Sequence, residues 1–144
     1  MKLNLEQIKQ VLPHREPFLM LDRVVEYEPG DYANAIKAVS ANEWYFQGHF
    51  ESYKVMPGVL QIEAMAQAGA IAILTAEEHK GKLAFFGGIK KARFKKKVVP
   101  GDMLNISAKI TRVMGNIGFG DAKITVDGEL ACEAELIFAL GDEE

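Results

Sequence analysis

Cysteine is almost absent from this chain, whose 144 residues include only Cys132. A single thiol excludes an internal disulfide, and no Cys-x-x-Cys pair or Cys/His cluster indicates a metal site. We therefore predict no metal and no other cofactor. An unpaired cysteine is typical of a reducing compartment, and Met1–Pro13 lacks the apolar core and cleavage signature of a signal peptide. We expect a cytoplasmic protein.

An excess of charge of one sign is also lacking. The chain has 17 basic and 20 acidic residues and a formal net charge of −3, so its overall charge does not favour binding to nucleic acid or to a membrane surface. It contains no internal repeat, low-complexity segment or linker. With 49% hydrophobic residues, the chain can form one substantial core. We expect residues 1–144 to form one domain.

One long hydrophobic run is present, from Pro57 to Ala76, and it carries a single formal charge, Glu63. Its length alone would allow it to span a membrane. The run is, however, rich in alanine, and it contains Gln61 and Gln67 as well as Glu63, all of which are costly to place in lipid. A helix that is apolar on all sides and surrounded by protein is the better interpretation.

Turn signals and residue periodicity outline the remaining elements. A capping box at Asn4 predicts a short N-terminal helix. We expect the central helix to run from Pro57 to His79 or Lys80, with Gly81 directly after it. The extended segments are residues 23–27, 32–39, 82–89, 91–98, 104–113, 119–126 and 129–140. Asp127 and Gly128 predict a two-residue hairpin between the last two. A sheet of about six antiparallel strands wrapped around the central helix would bury both, which is the α+β architecture called the hot-dog fold.

A histidine and a carboxylate near the start of the central helix form a plausible proton-transfer pair. Glu63 is the one charge of the apolar run, where a carboxylate is costly unless it is paired, neutralised or used. His49 lies shortly before that run, and a neutral imidazole accepts protons near neutral pH. Taken alone, His49 is better explained as a structural histidine in a loop. Glu63 alone is equally well explained as a buried hydrogen-bonding group.

Three blocks of sequence favour catalytic roles for His49 and Glu63 over these structural explanations. Residues 49–67 read HFESYKVMPGVLQIEAMAQ, Leu12–Val24 reads LPHREPFLMLDRV, and Lys91–Leu104 reads KARFKKKVVPGDML. Each block is similar to a block of the beta-hydroxyacyl-acyl-carrier-protein dehydratases of the FabZ type. The blocks come in that family's order and span nearly the whole chain, so the resemblance is specific.

The resemblance implies a hot-dog fold and a dehydration in type II fatty acid synthesis. A (3R)-3-hydroxyacyl thioester on acyl carrier protein would lose water to give the trans-2-enoyl thioester. By position, His49 and Glu63 match the family's catalytic residues. The family's sites combine the histidine of one chain with the carboxylate of another, so the resemblance also implies a homodimer. It further implies a hexamer built as a trimer of dimers.

Other site residues follow from this mechanism. The free N–H groups of Gly58 and Val59, in the first turn of the helix, are expected to stabilise the charge that develops on the thioester oxygen. Gln67 lies one turn after Glu63 and could hold its carboxyl group or a water molecule, although a structural role is equally plausible. Phe85 matches the family's aromatic residue at the mouth of the acyl tunnel, or it is a core residue.

The segment from Lys90 to Lys97 holds six of the 17 basic residues. In a strand, alternate basic residues would point to one side: Lys91, Arg93, Lys95 and Lys97. One interpretation is a charged, solvated sheet edge. The other is a docking surface for acyl carrier protein, which is strongly acidic. We place that predicted surface at Arg93, Lys95, Lys96 and Lys97.

Three alternatives to a simple dehydratase remain open at this stage. A thioesterase on the same fold would use Glu63 to activate water. A dehydratase with added trans-2/cis-3 isomerase activity is also conceivable. A non-catalytic acyl-binding subunit would bind the carrier without turnover. The chain departs from the family pattern at Glu51 and Lys54, which replace prolines, so we expect the loop after His49 to be less rigid.

Residues outside the proposed pair receive structural roles. We expect His14 to help fold the N-terminal segment. His79, near the end of the central helix, is expected to be a surface cation. Cys132 is expected to be a small core residue.

Overall fold

The computed structural model describes residues 1–49 and 52–142. Its α-helices are α1 (Leu5–Val11) and α2 (Gly58–Leu74), and two short 3-10 helices cover Trp44–Gln47 and Glu77–His79. Its strands are β1 (Arg23–Glu28), β2 (Tyr32–Ala38), β3 (Leu83–Phe94), β4 (Met103–Met114), β5 (Ile117–Val126) and β6 (Glu129–Gly141). Phe50 and Glu51 lie outside the described residues, and so does the prediction of a less rigid loop at Glu51.

The six strands form one antiparallel sheet in the order β1-β2-β4-β5-β6-β3, and the sheet packs around α2. The inner face of the sheet is apolar at every second position, as in β4, where Leu104, Ile106 and Ala108 are buried. Every residue of α2 from Ala64 to Leu74 is buried as well. The sheet and the helix therefore bury each other, and the predicted hot-dog architecture is confirmed.

Small residues allow α2 to lie close against the sheet. A Cβ atom added to Gly69 would lie 2.6 Å from the ring of Phe138 on β6. One added to Gly118 on β5 would lie 2.7 Å from Ile73 Cδ1. Real Cβ contacts are longer than this, so larger side chains at these positions would push the helix and the sheet apart. The glycine and alanine content of the apolar run thus reflects packing inside the protein.

The ends of the helices agree only in part with the sequence prediction. Asn4 forms the predicted capping box of α1. Pro57 caps α2 rather than forming its first turn, and α2 ends at Leu74 instead of His79 or Lys80. Within the residues described, no helix is both long and apolar enough to cross a membrane.

The chain after α2 turns back into the protein. The Thr75 hydroxyl donates to the carbonyl of Ile71 at 2.7 Å, and the Glu77–His79 turn follows. His79 is only 8% exposed, so the prediction of a surface cation there is wrong. The turn folds its imidazole against the protein, whereas a helix continuing straight would have exposed it. Gly81 has a φ of +82°, as expected for a residue that ends a helical segment.

Strand β3 combines the two segments that were predicted separately as residues 82–89 and 91–98. Its pairing with β6 shifts register between Lys90 and Arg93, where Lys91 has a φ of +53°. The irregularity breaks the alternation of side chains, and the strand ends at Phe94, before Lys95 and Lys97. The predicted alignment of four basic residues on one side of a strand is therefore wrong.

The other strands lie within two residues of their predicted limits. Asp127 and Gly128 join β5 to β6 with φ values of +50° and +81°, which is the two-residue hairpin that an Asp-Gly pair favours. Cys132 is fully buried on β6, and its predicted place in the core is confirmed.

Candidate active site

Glu63 lies on an open face of α2. Its side chain is 14% exposed, between neighbours that are mostly buried. Helical spacing places Val59, Ala66, Gln67 and Ala70 on the same face. Val59, one turn before Glu63, is 74% exposed. The apolar helix thus presents its only charge on the side that the sheet leaves partly uncovered.

Gln67 holds the Glu63 carboxyl group in place. Its Nε2 donates to Glu63 Oε2 at 2.9 Å and to the carbonyl of Phe18 at 3.0 Å. Its Oε1 accepts the backbone N–H of Met20 at 2.7 Å. A backbone carbonyl accepts and a backbone N–H donates, so these two partners fix which end of the amide faces Glu63. Gln67 therefore joins the carboxyl group to the segment before β1.

His14 also contacts Glu63, which the sequence analysis did not predict. His14 Nε2 lies 3.4 Å from Glu63 Oε2, and its side chain is 22% exposed. The imidazole stacks on the ring of Phe18, with centroids 6.2 Å apart. In the sequence, His14 stands out only because it lies in the Leu12–Val24 block. The residue spacing within that block does not show that it contacts a helix about fifty residues further along the chain.

A small cavity lies over the Glu63 carboxyl group. Its described lining combines that carboxyl group and two polar neighbours with alanine and phenylalanine side chains: His14, Glu63, Ala66, Gln67, Ala70, Ala84, Phe85, Phe86 and Phe138. The volume is about 30 Å³, enough for water but not for an acyl chain. Phe85, which is 55% exposed, lies at the outer side of β3. Of the predicted site residues, Glu63, Gln67 and Phe85 are thus brought together.

His49 lies in the loop between the Trp44–Gln47 turn and α2, and it is not among the described residues that line this cavity. Its Nδ1 is 2.7 Å from the carbonyl of Val55. A carbonyl oxygen can only accept, so Nδ1 carries a hydrogen in this contact, and Nε2 is the basic nitrogen of a neutral ring. The backbone of the adjacent Met56 is fixed in turn, because its N–H donates to Val98 O at 2.8 Å.

Gly58 and Val59 begin α2, where backbone N–H groups have no acceptor within the helix. The ring of Phe94, at the end of β3, covers Gly58 so closely that a Cβ atom there would lie 2.6 Å from Phe94 Cε1. The predicted donors are therefore at a helix N-terminus beside an exposed aromatic ring. They do not line the cavity over Glu63.

The basic residues after β3 are dispersed. Lys96 Nζ lies 3.4 Å from Glu129 Oε2, and Lys97 Nζ lies 5.0 Å from the centroid of the Tyr53 ring. Lys95 is exposed. The Tyr53 contact connects this segment to the loop that carries His49, so the basic surface lies beside one of the two predicted catalytic residues.

The sheet has one long edge that carries apolar side chains. Strand β3 is bonded to β6 on one side and is the last strand of the sheet. Its twelve residues include four exposed hydrophobic ones: Phe85, Phe86, Ile89 and Phe94. An open edge of this length and composition favours pairing with another chain.

Comparison with known proteins places this chain in a family. Residues 12–135 match the family model described as a FabA-like domain. The chain is 61% identical over 142 residues to a 3-hydroxyacyl-[acyl-carrier-protein] dehydratase FabZ from Bacillus cytotoxicus, covering 99% of both chains. It is 62% identical over 136 residues to the FabZ of Staphylococcus aureus strain JH9, covering 94% of this chain and 93% of the other.

Two solved structures share the fold at low sequence identity. A chain of the dehydratase heterocomplex ApeI:P from Xenorhabdus doucetiae has a TM-score of 0.76 and 19% identity, covering 94% of this chain and 91% of that one. An uncharacterized protein from Pyrococcus horikoshii has a TM-score of 0.71 and 16% identity, with 94% of each chain covered. On the family match and the identity to these two FabZ proteins, the chain belongs to the FabZ-type dehydratases of the FabA-like family.

Proposed function

We propose that this chain is a (3R)-3-hydroxyacyl-[acyl-carrier-protein] dehydratase of type II fatty acid synthesis, a hydro-lyase that forms the trans-2-enoyl thioester. The observation that supports this function best is the Glu63 carboxyl group, which Gln67 holds beside a small cavity walled mostly by alanine and phenylalanine side chains. An acid in such surroundings can protonate a leaving hydroxyl group with little competition from water.

His49 is the proposed base. The hydrogen bond from its Nδ1 to the Val55 carbonyl fixes the tautomer in which Nε2 is the basic nitrogen, and Nε2 would take the proton from C2 of the substrate. That proton is weakly acidic because it lies beside the thioester carbonyl. Positioned imidazole bases of this kind contribute about 10²–10⁴ to the rate.

Glu63 is the proposed acid. As His49 removes the C2 proton, the electrons of that C–H bond form the C2=C3 double bond. The C3–O bond breaks, and the hydroxyl group takes the proton of Glu63 and leaves as water. Return of the C2 proton from His49 to Glu63, directly or through water, restores both groups.

The thioester oxygen gains negative charge as the C2 proton leaves. The N–H groups of Gly58 and Val59 are the proposed partners of that oxygen, because they lie at the positive end of the α2 dipole. The loss of one such donor typically raises the barrier by about 3–4 kcal/mol. The space that a Gly58 side chain would fill is taken by the ring of Phe94.

The active site is proposed to be shared between two chains of a homodimer. His49 is not among the described residues around the Glu63 cavity, and that cavity is too small for an acyl chain. A second copy along the β3 edge would cover its exposed aromatic side chains and supply a further wall. We propose that His49 of one chain acts with Glu63 of the other, and that three such dimers form a hexamer.

Acyl carrier protein is the proposed partner, and Arg93, Lys95, Lys96 and Lys97 its proposed docking surface. The surface lies beside the His49 loop through the contact of Lys97 with Tyr53. Attraction between these cations and an acidic carrier would speed the encounter and weaken with salt.

The test is a product assay with purified protein and 3-hydroxyacyl chains bound to acyl carrier protein. Mass spectrometry should show the loss of one water molecule from the carrier-bound chain, with no release of free thiol. Thiol release without an enoyl product would instead identify a thioesterase. Carrier binding with no turnover by any assembly would identify a non-catalytic subunit. A cis-3 product beside the trans-2 product would add isomerase activity to the proposal.

A further inference from the structure

The contact between His14 and Glu63 has no role in the elimination described above. His14 lies in the segment before β1, and Glu63 lies on α2, yet His14 Nε2 is 3.4 Å from Glu63 Oε2 with both side chains largely buried. The imidazole stacks on the ring of Phe18 with an interplanar angle of 11°. Its Nδ1 is buried and has no hydrogen-bond partner among the described residues, so Nε2 is the ring atom that meets a polar group.

Both side chains that hold Glu63 contact the same oxygen atom. Gln67 Nε2 and His14 Nε2 each approach Oε2, and among the described residues neither reaches Oε1. The amide of Gln67 cannot turn over, because Phe18 O and the N–H of Met20 fix its orientation. Oε2 must therefore accept a hydrogen bond. A carboxyl oxygen that carries the proton has one in-plane lone pair left and cannot accept from two donors, so when Gln67 and His14 both donate to Oε2 the proton lies on Oε1.

We propose that His14 is a positioning residue for Glu63, acting with Gln67 to hold Oε2 so that Oε1 presents the acidic proton to the substrate. This inference rests on the proposed dehydration and adds an atomic assignment to it. In the tautomer that carries a hydrogen on Nε2, His14 presents a donor to Oε2 at 3.4 Å, beside the hydrogen bond from Gln67. Two donors on Oε2 fix the rotation of the carboxyl group, which sets the direction in which the Oε1 proton points.

The surroundings offer Glu63 few polar partners besides His14. The other described side chains around the cavity are neutral: Gln67, Ala66 and Ala70 from α2, Ala84, Phe85 and Phe86 from β3, and Phe138 from β6. Arg15, next to His14, donates its guanidinium hydrogens to the carbonyls of Lys9, Leu12 and His14. Among the side chains that line the cavity, only Gln67 and His14 can therefore donate to the Glu63 carboxyl group.

A pair of amide variants separates positioning from packing. The side-chain nitrogen of glutamine reaches about as far as imidazole Nε2, whereas that of asparagine reaches only as far as Nδ1. His14→Gln should keep kcat within about threefold of wild type, while His14→Asn should lower kcat about 10- to 100-fold and change KM less than twofold. His14→Phe keeps the stack on Phe18 but has no donor, and it should behave like His14→Asn.

A purely structural role of His14 would give a different order of activity among the three variants. If packing on Phe18 were all that mattered, His14→Phe would remain active and the two amide variants would lose activity together, which would overturn the proposal. Thermal midpoints of all three variants show whether each one is folded. A folded His14→Asn with wild-type kcat would overturn it as well.

A second measurement does not require turnover. The carboxyl carbon of Glu63 is observed by NMR at one fixed pH in wild type, His14→Gln and His14→Asn, and its signal is assigned by its loss in Glu63→Gln. We expect the chemical shift of this carbon to change more in His14→Asn than in His14→Gln. An active wild type whose Glu63 signal is the same in all three proteins would overturn the role of His14. An inactive wild type whose Glu63 signal moves in His14→Asn would instead refute the proposed function and leave the contact of His14 with Glu63 established.

Discussion

The carboxyl group of Glu63 and the imidazole of His49 are each held by a defined hydrogen bond. Gln67 holds one oxygen of Glu63 at 2.9 Å, and the Val55 carbonyl holds His49 Nδ1 at 2.7 Å. In each case one atom is held, and the proposed mechanism uses the other: Nε2 of His49 as the basic nitrogen and Oε1 of Glu63 as the acidic oxygen. At the scale of single residues, this division is what an acid and a base need in order to act on one substrate.

Replacement of either residue should abolish most activity. Glu63→Gln keeps the shape of the side chain and can still accept from Gln67, but it has no proton to deliver. His49→Ala removes the base. We expect kcat to fall by about 10²–10⁴ in each variant, with thermal midpoints close to that of wild type. A folded variant that retains more than a tenth of wild-type kcat would remove that residue from the mechanism.

Cys132 predicts a loss of stability at alkaline pH. Burial, with a smaller contribution from Glu133, raises the pKa of its thiol to about 11. The unfolded chain loses this proton near its ordinary pKa of about 8.5, so the thiol contributes its full stability below that pH and loses it as pH rises toward 11. The free energy of unfolding should therefore fall by about 1–2 kcal/mol more between pH 8 and pH 10 in wild type than in Cys132→Ala.

Chemical denaturation at a series of pH values checks this prediction. Burial also raises the pKa of the Tyr45 hydroxyl, and the comparison with Cys132→Ala removes that common contribution. Equal pH dependence in the two proteins would show that the Cys132 thiol does not contribute.

At the scale of helices and strands, the sequence predicts the features that depend on residues adjacent in the chain. The Asn4 cap of α1 and the Asp127-Gly128 hairpin depend on residues that lie next to one another in the chain, and both were predicted. The end of α2 at Leu74 was not predicted, because the apolar run continues to Ala76 and the Thr75 hydroxyl bond to Ile71 has no sequence signature. The irregularity at Lys91 depends on the pairing of β3 with β6, which only the folded sheet defines.

The same reasoning applies to the candidate site. The resemblance pointed to Glu63, and helical spacing placed Gln67 one turn after it as a possible partner of the carboxyl group. The contact of His14 with Glu63 brings together two blocks that are distant in the chain, and the burial of His79 depends on the turn after α2. Contacts of this kind are set by tertiary packing, which periodicity and motif spacing do not describe.

Gly69→Ala tests the close packing of α2 on β6. The new Cβ atom would lie 2.6 Å from the buried ring of Phe138. Overpacking of this kind costs about 1–3 kcal/mol, while alanine in place of glycine favours the helix by about 1 kcal/mol. We expect a net loss of up to about 2 kcal/mol in the free energy of unfolding.

Denaturant titration measures this change. Gly48→Ala is a matched control, because a Cβ atom at Gly48 meets nothing within 4 Å. Gly69→Ala combined with Phe138→Leu should recover part of the loss. A stabilised Gly69→Ala would show that the helix and the sheet can separate at little cost.

Removing the positive charges of the basic segment after β3 should weaken substrate binding without slowing the chemical step. Neutralising Lys95, Lys96 and Lys97 together to glutamine should raise KM for the carrier-bound substrate and flatten its dependence on salt, because the attraction to an acidic carrier is reduced. The value of kcat should change little.

Steady-state kinetics at several salt concentrations provide the test. Lys80→Gln is the control, since Lys80 lies at the far end of α2 and pairs with Glu77 at 2.8 Å. An unchanged KM in the triple variant would show that the carrier docks elsewhere.

At the scale of the whole molecule, the fold leaves two features incomplete in one chain. The long edge strand β3 exposes aromatic side chains, and the cavity over Glu63 has room only for water. A second copy along that edge would cover the aromatic side chains and would add a further wall to the site. The proposed assembly therefore follows from what the sheet exposes, and the chemistry is predicted to need two chains.

Mixing two inactive variants tests the shared site most directly. His49→Ala and Glu63→Gln are unfolded together, refolded, and checked by mass spectrometry of the intact complexes for mixed dimers. Each mixed dimer has one site with both natural residues, so random pairing should restore roughly a quarter of wild-type activity. Verified mixed dimers without activity would contradict a site built from His49 of one chain and Glu63 of the other.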